Sequence, residues 1–261
     1  LKVVHKVSDG VIQEKVVAQD GNGLEIIRNG NEVHCILPDQ KSVLVEEWDD
    51  QSTLFSTLPS SEIRFGSEYD VAVVRADRVA GRQANLLAIR PHDGYRYGYR
   101  IWLDTETGFP LQTQLIGDDG SAIEEVKFAE IRLNTQIQAS DLAPSYSTEN
   151  FRWLNQSSRH VTRSVESRWE SEELPRGFRA VSTHEEKMHG SESFVTHILY
   201  SDGLANVSVF IAARRPNDAQ GPSSVGGSNS YSALIDEHHV TAVGEVPAMT
   251  VEQIATTMRL R

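Results

Sequence analysis

The chain has 261 residues, enough for one large domain or two modest ones that can each bury a core. Its 25 lysines and arginines against 37 acidic residues give a net charge of −12, which excludes nucleic acid or an anionic membrane as a partner attracted by overall charge. A single cysteine, Cys35, excludes an intramolecular disulfide and a cysteine-based zinc cluster, and no apolar run approaches the roughly 18 residues of a membrane span.

The first residues, Leu1–Val7, predict a strand that is already under way, without an initiator methionine, a cap or a preceding helix. We therefore expect a further segment ahead of Leu1 in the natural protein, and any export signal would lie there.

Residues 1 to about 140 are a succession of short β-type runs separated by turn residues such as Asn29-Gly30. The predicted strands are Lys2–Val7, Val11–Ala18, Leu24–Arg28, Glu32–Leu37, Ser42–Val45, Tyr69–Val79, Asn85–Arg90, Tyr97–Asp104, Pro110–Gly117 and Ile123–Leu133. This spacing predicts an antiparallel meander that forms one large curved sheet or barrel, because parallel strands would need helical crossovers that this half lacks.

The segment Gln51–Glu62 breaks the strand pattern, since Leu54, Phe55 and Leu58 follow a helical spacing before Pro59. A short helix or a lid-like loop fits this pattern. Phe55 and Leu58 would either plug the open end of the sheet or form an adjustable gate over a hydrophobic interior.

After a linker-like stretch from Ala139 to Ser158, the sequence pattern typical of strands resumes in a second, smaller unit. Its predicted elements are the strands Phe194–Tyr200, Ala205–Ala213, Tyr231–Asp236 and His239–Val246, a mobile polar loop Arg214–Ser230, and a terminal helix capped by Thr250 with Val251, Ile254, Ala255 and Met258 on one stripe. The predicted division is a large domain at 1–142, a linker at 143–162 and a small domain at 163–261.

The devices that place a catalytic nucleophile or a metal ion are absent from the sequence, which has neither a G-x-S-x-G elbow nor an H-E-x-x-H helix. Cys35 sits within a strand, so a structural thiol is favoured. His238 and His239 are adjacent in a strand and diverge, and a metal site from His184 and His189 would need a third ligand. We predict no catalytic residue, no metal and no cofactor.

The segment from Tyr95 to Arg100 alternates aromatic and basic residues, as single-strand nucleic-acid binders do. In a strand, Tyr95, Tyr97 and Tyr99 would share one face while Arg96 and Arg100 occupy the other. Given the negative net charge, sheet packing by the tyrosines and surface exposure of the arginines are favoured over nucleic-acid recognition.

Five stretches of the chain resemble the MucB/RseB family of periplasmic regulators of the envelope-stress sigma factor. They are Arg78–Arg82, Tyr97–Leu111, Leu174–Phe178, Leu199–Leu204 and Val243–Pro247, and they occur in the family's order over nearly the whole chain. The large domain of this family is similar to the lipoprotein carriers LolA and LolB.

The resemblance implies an α+β fold: a strongly curved antiparallel half-barrel of the LolA/LolB kind covered by helical segments, with a smaller α+β C-terminal domain. It implies an exported, periplasmic protein that binds the periplasmic region of a membrane-spanning anti-sigma factor of the MucA/RseA type. Binding would shield that factor from the site-one protease, and lipid or lipopolysaccharide would cause release. A homo-oligomer is left open.

Two rival functions are a plain lipoprotein or lipid carrier without a signalling role and an enzyme that acts on envelope lipids. The candidate lipid-cavity residues are Phe55, Leu58, Tyr95, Tyr97, Tyr99 and Trp102. The candidate partner-binding residues are Arg176, Phe178, Arg179, Arg214 and Arg215. Phe178 is alternatively a core residue, and the edge beside the loop Arg214–Ser230 would admit an extended peptide by strand addition.

Overall fold

The computed structural model describes residues 1–47, 66–155, 163–187 and 194–261. Phe55, Leu58 and the predicted helix or lid around them lie outside these residues. The chain divides into two compact units: unit 1 comprises residues 1–58 and 132–159, and unit 2 comprises residues 59–131 and 160–261. Residues 59–131 group with the C-terminal part in unit 2, and the division into domains at 1–142 and 163–261 stays a prediction.

The described elements are mostly strands. In chain order they are β1 (Lys2–Ser8), β2 (Val11–Val17), β3 (Glu25–Asn29), β4 (Glu32–Leu37), β5 (Ser42–Glu47), β6 (Tyr69–Val79), β7 (Arg82–Pro91), β8 (Gly98–Asp104), β9 (Pro110–Ile116), β10 (Ala122–Lys127), α1 (Ala139–Leu142), β11 (Arg152–Asn155), β12 (Arg163–Ser164), β13 (Trp169–Ser171), β14 (Arg179–Lys187), β15 (Phe194–Ser201), β16 (Asn206–Ala213), β17 (Gly221–Val225), β18 (Ser228–Ile235), β19 (His238–Gly244), α2 (Ala248–Thr256) and β20 (Met258–Leu260), with a 3-10 turn at Pro38–Gln40. Within the described residues, no helix is both long enough and apolar enough to cross a membrane.

Unit 1 is built on a six-stranded sheet in the order β1-β2-β3-β4-β5-β11. The first five strands form the antiparallel meander that their turn residues predict, and β11 adds to β5 in parallel. This parallel edge was not predicted. Its short strand comes from the predicted linker, so pairing across more than a hundred residues decides its structure and local sequence does not.

A buried charge pair fixes the segment that leads to β11. The Nζ of Lys15 donates to the carbonyl oxygen of Ala143 at 2.6 Å and to Oγ of Ser145 at 2.8 Å, and the Ser145 N–H donates to Oε2 of Glu25 at 2.9 Å. Lys15 and Glu25 are both buried, with Nζ 3.9 Å from Oε1. The start of the predicted linker is therefore held on the sheet of unit 1.

Unit 2 contains a five-stranded antiparallel sheet in the order β10-β9-β8-β7-β6. One face buries Ile89 and Ile101 with Tyr69, and the other buries Trp102, Leu86 and their neighbours. Since side chains alternate across a strand, both faces are apolar, as expected of a sheet that is covered on two sides.

The C-terminal part of unit 2 is a seven-stranded sheet in the order β12-β14-β15-β16-β19-β18-β17, with a two-stranded β13-β20 pair. Helix α2 contributes Val251, Ile254 and Ala255 to a core that also buries Ile198 and Val209. The prediction of mainly antiparallel sheet is confirmed, and the described residues hold few helices. The helical cover expected over the first half is not present in its described residues, where α1 is the only α-helix.

Two local predictions in this part were wrong. The polar stretch Arg214–Ser230 is not a continuous loop, because β17 and β18 form a hairpin that turns at Gly226-Gly227. A Cβ on Gly227 would lie 2.5 Å from Cδ2 of Leu115, so this turn needs glycine for close approach. Thr250 does not cap α2, which begins two residues earlier; its hydroxyl donates to the carbonyl oxygen of Tyr95 at 2.7 Å.

Candidate functional site

The segment Tyr95–Arg100 does not form the continuous strand that its alternation predicts. Strand β8 begins at Gly98, so Tyr95, Arg96 and Tyr97 lie in the bend before it. The predicted wall of exposed arginines is wrong for Arg96, whose side chain is 0% exposed. A fully buried guanidinium is rare unless anions and carbonyl oxygens surround it.

Arg96 is paired through every edge of its guanidinium. Nη1 donates to Oδ2 of Asp202 at 2.6 Å, Nε donates to Oδ1 of Asp93 at 3.1 Å, and Nη2 donates to the carbonyl oxygen of Arg176 at 2.6 Å. Asp202 is itself buried, with 2% of its side chain exposed. The Arg96–Asp202 pair is therefore a desolvated ion pair with additional hydrogen bonds, the arrangement in which such pairs are tolerated.

Two aromatic rings and a turn complete this cluster, which we call the Arg96 hub. The guanidinium lies over the rings of Tyr69 at 5.5 Å and Phe178 at 5.1 Å. Tyr69 Oη donates to Oδ2 of Asp202 at 2.7 Å, and burial together with this negative charge raises the pKa of Tyr69. The other oxygen of Asp202 accepts the N–H groups of Leu204 and Ala205 at 2.9 and 2.8 Å, fixing the β15–β16 turn.

The Arg96 hub joins elements that are distant in sequence. Tyr69 lies in β6 and Arg96 in the bend before β8, while Phe178 and Asp202 belong to the C-terminal part, and Arg96 and Asp202 are 106 residues apart. Because each buried polar group has partners, the hub holds the five-stranded and seven-stranded sheets of unit 2 in one arrangement. In the sequence, Asp202 stood out only as part of the stretch Leu199–Leu204, and nothing indicated that Asp202 is buried against an arginine.

The predicted lipid-cavity tyrosines also contact the C-terminal part. The Tyr95 carbonyl oxygen accepts from Thr250, and the Tyr97 hydroxyl accepts a hydrogen bond from Nδ2 of Asn229 at 3.0 Å. Tyr99 Oη lies 3.4 Å from Oε2 of Glu245, and burial raises the pKa of the Tyr99 phenol. The hydroxyls of Tyr97 and Tyr99 and the backbone of Tyr95 are therefore hydrogen-bonded within unit 2.

Trp102 lies on the opposite face of β8 from Tyr99. Tyr99 opposes Ile89 in the ladder, whereas Trp102 opposes Leu86 and is 6% exposed. Its indole N–H donates to Oδ2 of Asp77 at 2.9 Å. Tyr99 and Trp102 therefore lie on different faces, and of the four described cavity candidates only Trp102 belongs to the cluster with Leu86.

The predicted partner-binding arginines lie on the surface of unit 2, whereas Phe178 lies in its core. The Arg176 side chain is 83% exposed, with Nε 3.2 Å from Oε1 of Glu68, and Arg179, Arg214 and Arg215 are exposed. Phe178 is 7% exposed and packs in the C-terminal core beneath Arg96. Phe178 is therefore not presented to a partner, which is the alternative that the sequence allowed.

Strand β17 is an outer edge of the seven-stranded sheet. Arg214 and Arg215 follow the end of β16, which β19 and β18 separate from β17. Val225 and Ser228 close a two-residue turn as a pair, so the peptide groups of Pro222 and Ser224 point away from β18. Pro222 offers no N–H, and proline at such a position protects an edge against strand addition. This edge fits side-chain contacts better than an added strand.

The histidines do not build a metal centre in the described part of the chain. No three histidine, cysteine, aspartate or glutamate side chains come together there as metal ligands. His189 lies outside the described residues, and His184 instead pairs with His197 of the neighbouring strand. His238 packs edge-on against Trp169, and Cys35 is half-buried with its pKa raised by burial and by Glu46.

Comparison with known proteins matches both parts of the chain. The MucB/RseB N-terminal domain matches residues 1–146, and the MucB/RseB C-terminal domain matches residues 163–259. The sigma factor AlgU regulatory protein MucB of Pseudomonas aeruginosa is 29% identical over 265 residues, which cover 99% of this chain and 80% of that protein. The sigma-E factor regulatory protein RseB of Escherichia coli is 25% identical over 253 residues, which cover 94% of this chain and 76% of RseB.

Solved structures agree with the sequence comparison. The complex of Pseudomonas aeruginosa MucA and MucB matches with a TM-score of 0.72 and 27% identity, covering 99% of this chain and 87% of that one. MucB in complex with MucA(peri) matches with a TM-score of 0.71 and the same identity and coverage. With both domain families present in order and these relatives aligned over nearly its full length, the chain belongs to the MucB/RseB family.

Proposed function

We propose that this protein is a periplasmic negative regulator of an envelope-stress sigma factor. It binds the periplasmic region of a MucA/RseA-type anti-sigma factor and shields it from proteolysis, without an enzymatic activity of its own. The observation that carries the proposal is the likeness over 99% of the chain to MucB solved as a complex with MucA. The relatives' names, which describe regulatory proteins of sigma factors, support it.

The direct test is binding. The purified protein is titrated by calorimetry into the periplasmic region of the MucA/RseA-type protein of the same organism, and cleavage of that region by the site-one protease is followed with and without it. We expect a saturable complex and slower cleavage. Absence of binding together with unchanged cleavage would refute the proposal.

We further propose that Arg214 and Arg215 contact the partner. Both side chains are exposed directly after the end of β16, on a chain whose net charge is −12, so they form a pair of adjacent cations that an acidic segment would recognise. Replacing both by glutamate should weaken binding by about tenfold, mainly through a slower association rate. The control is Arg75→Glu with Arg78→Glu, which makes the same charge change at exposed positions of β6.

A second candidate contact is formed by Arg176 and Arg179. Both are exposed, and the backbone carbonyl oxygen of Arg176 is fixed by Arg96, so the side chains project from an ordered segment. An ordered base lowers the entropy that binding must overcome. The substitutions Arg176→Glu and Arg179→Glu, measured together against the same control, test this contact separately from the pair at 214 and 215.

We also propose that lipid or lipopolysaccharide releases the partner. In this proposal the first half has the curvature and helical cover of a LolA/LolB-like half-barrel, with Trp102 on its lipid-facing side and Phe55 and Leu58 at its gate. Burial of an acyl chain contributes about 0.8 kcal/mol per CH₂, so one chain rivals a moderate protein interface. A lipid exerts control only as far as its affinity differs between the bound and free forms.

Partner affinity with and without a lipid A analogue tests the release step. We expect weaker binding at saturating lipid and a change in Trp102 emission. Unchanged affinity would remove the release step and leave partner binding intact. A protein that binds the lipid analogue but not the anti-sigma factor would be a carrier, although the matched C-terminal domain favours the regulator.

A further inference from the structure

His184 and His197 form a directly opposed pair on the antiparallel strands β14 and β15. Nδ1 of His197 lies 3.0 Å from Nε2 of His184, and the rings are nearly perpendicular, with centroids 4.6 Å apart. A contact of this length between two ring nitrogens needs one proton between them, because two lone pairs or two N–H groups would repel. The neutral pair therefore makes one N–H···N bond across the strands.

The surroundings of His197 do not favour a second proton. Its ring stacks on Phe210 of β16, with centroids 4.4 Å apart and an angle of 17° between the planes. Its remaining nitrogen, Nε2, is buried and has no hydrogen-bond partner. In an imidazolium ring this nitrogen carries an N–H, which would be buried here without an acceptor, at a cost greater than that of the bare lone pair.

The charges that face the pair are few. Glu186 lies two residues along β14 from His184, on the same face. Among the described residues of β14, β15 and β16, Glu186 is the charged side chain that faces the pair, and its charge favours protonation of His197. The other neighbours carry no titratable group: Ser164 opposite His184 in β12, Val195 and Leu199 on β15, and Ser208 and Phe210 on β16. Burial and the neighbouring His184 outweigh Glu186, and together they lower the pKa of His197.

We infer that the His184–His197 pair is a proton-operated latch that ties β14 to β15 while one proton lies between the rings and loosens this edge of the sheet when both rings become imidazolium. Two imidazolium rings cannot share the present contact, so protonation of both rings separates them and frees the stack on Phe210. Among the described strands, β14 is paired on its outer side by β12 alone, which is two residues long. The edge therefore has little other pairing to hold it.

The direction of the pH dependence follows from the lowered pKa. The unfolded or opened segment binds protons at the ordinary histidine value of about 6.5, above the value in the closed pair. The latch is fully effective above about pH 6.5, and its stabilisation is lost as pH falls below that value. Each unit by which the pKa is lowered corresponds to a tenfold change in the opening equilibrium.

Hydrogen exchange of the whole chain at pH 7.5 and 5.5, corrected for the intrinsic pH dependence of exchange, tests the latch. We expect protection of β14 and β15 amides to fall several-fold at pH 5.5 in the wild type, with α2 unaffected. His184→Gln, which keeps an amide near the position of Nε2 but does not titrate, should reduce the pH dependence to the part that comes from burial of His197. His92→Asn, at an exposed histidine of the same unit, should behave as the wild type.

Equal protection of β14 and β15 at the two pH values would overturn the inference, as would a fall in His184→Gln as large as that in the wild type. If that variant does not fold, the NMR titration of the wild-type rings decides. Uptake of the second proton well below pH 6.5 supports the latch, whereas two independent titrations near pH 6.5 refute it. These measurements use no partner, so their outcome is separate from that of the proposed function.

Discussion

The substitution Arg96→Met tests whether the Arg96 hub holds the sheets of unit 2 together. Methionine keeps most of the length and apolar volume of the arginine stem, so the change removes mainly the charge and its hydrogen bonds. It leaves the Asp202 carboxylate buried and takes the donors from Asp93 and from the carbonyl oxygen of Arg176. Loss of one partner from a buried pair costs about 3–5 kcal/mol.

The geometry favours the lower end of that range. Asp202 still accepts from the Tyr69 hydroxyl and from two backbone N–H groups, so three donors at 2.7 to 2.9 Å continue to stabilise its charge. We therefore expect a loss of about 3 kcal/mol in the free energy of unfolding. Tyr69→Phe, which removes one of these three donors, should cost about 1.5–3 kcal/mol.

Urea unfolding followed by circular dichroism and tryptophan fluorescence measures these losses. Arg90→Met is the matched control, because Arg90 is an exposed arginine of the neighbouring strand β7 and its loss should change stability by no more than about 0.5 kcal/mol. If Arg96→Met costs no more than Arg90→Met, the hub does not fix unit 2 as argued.

Two further predictions concern other buried charges. Lys15→Met should lower the free energy of unfolding of unit 1 by about 3–5 kcal/mol, since it leaves the Glu25 carboxylate buried. Limited proteolysis should then cut near Ala143, which loses its hydrogen bond from Lys15. Lys2→Met is the exposed control, and equal proteolysis of both variants would contradict the prediction. Asp104 has its pKa held well below the usual range, chiefly by hydrogen bonds from Arg82 at 2.6 and 3.1 Å. The contribution of ionised Asp104 to stability is present above about pH 3.9, the pKa of aspartate in the unfolded chain, and is lost as pH falls further. The urea midpoints of the wild type and of Asp104→Asn should therefore converge in acid. A difference between these midpoints that stays constant from about pH 7 to 3 would refute this.

Local sequence was enough to predict most of the strands of this protein. Strand side chains alternate every two residues and hairpin turns need Asn, Asp or Gly, so β1 to β4 and β7 to β9 were predicted to within a few residues. Distributed motifs such as Leu199–Leu204 also carried the family resemblance, which the domain matches confirm.

Local sequence was not enough where long-range pairing decides the structure. The polar stretch that contains β17 has low strand propensity, yet it pairs with β18 because a neighbouring strand satisfies its backbone. Strand β11 depends in the same way on β5, more than a hundred residues earlier.

The candidate site shows the same division. The alternation of tyrosines and arginines from Tyr95 to Arg100 placed Arg96 on an exposed face. A sequence reveals how side chains alternate along a strand, but it does not reveal which distant residue packs against them. Only the tertiary structure brings Asp202 to Arg96, and only that pairing makes burial of the guanidinium tolerable. Residue order thus determined the strands and the family of this protein, while its buried charges were decided by contacts between residues far apart in the chain.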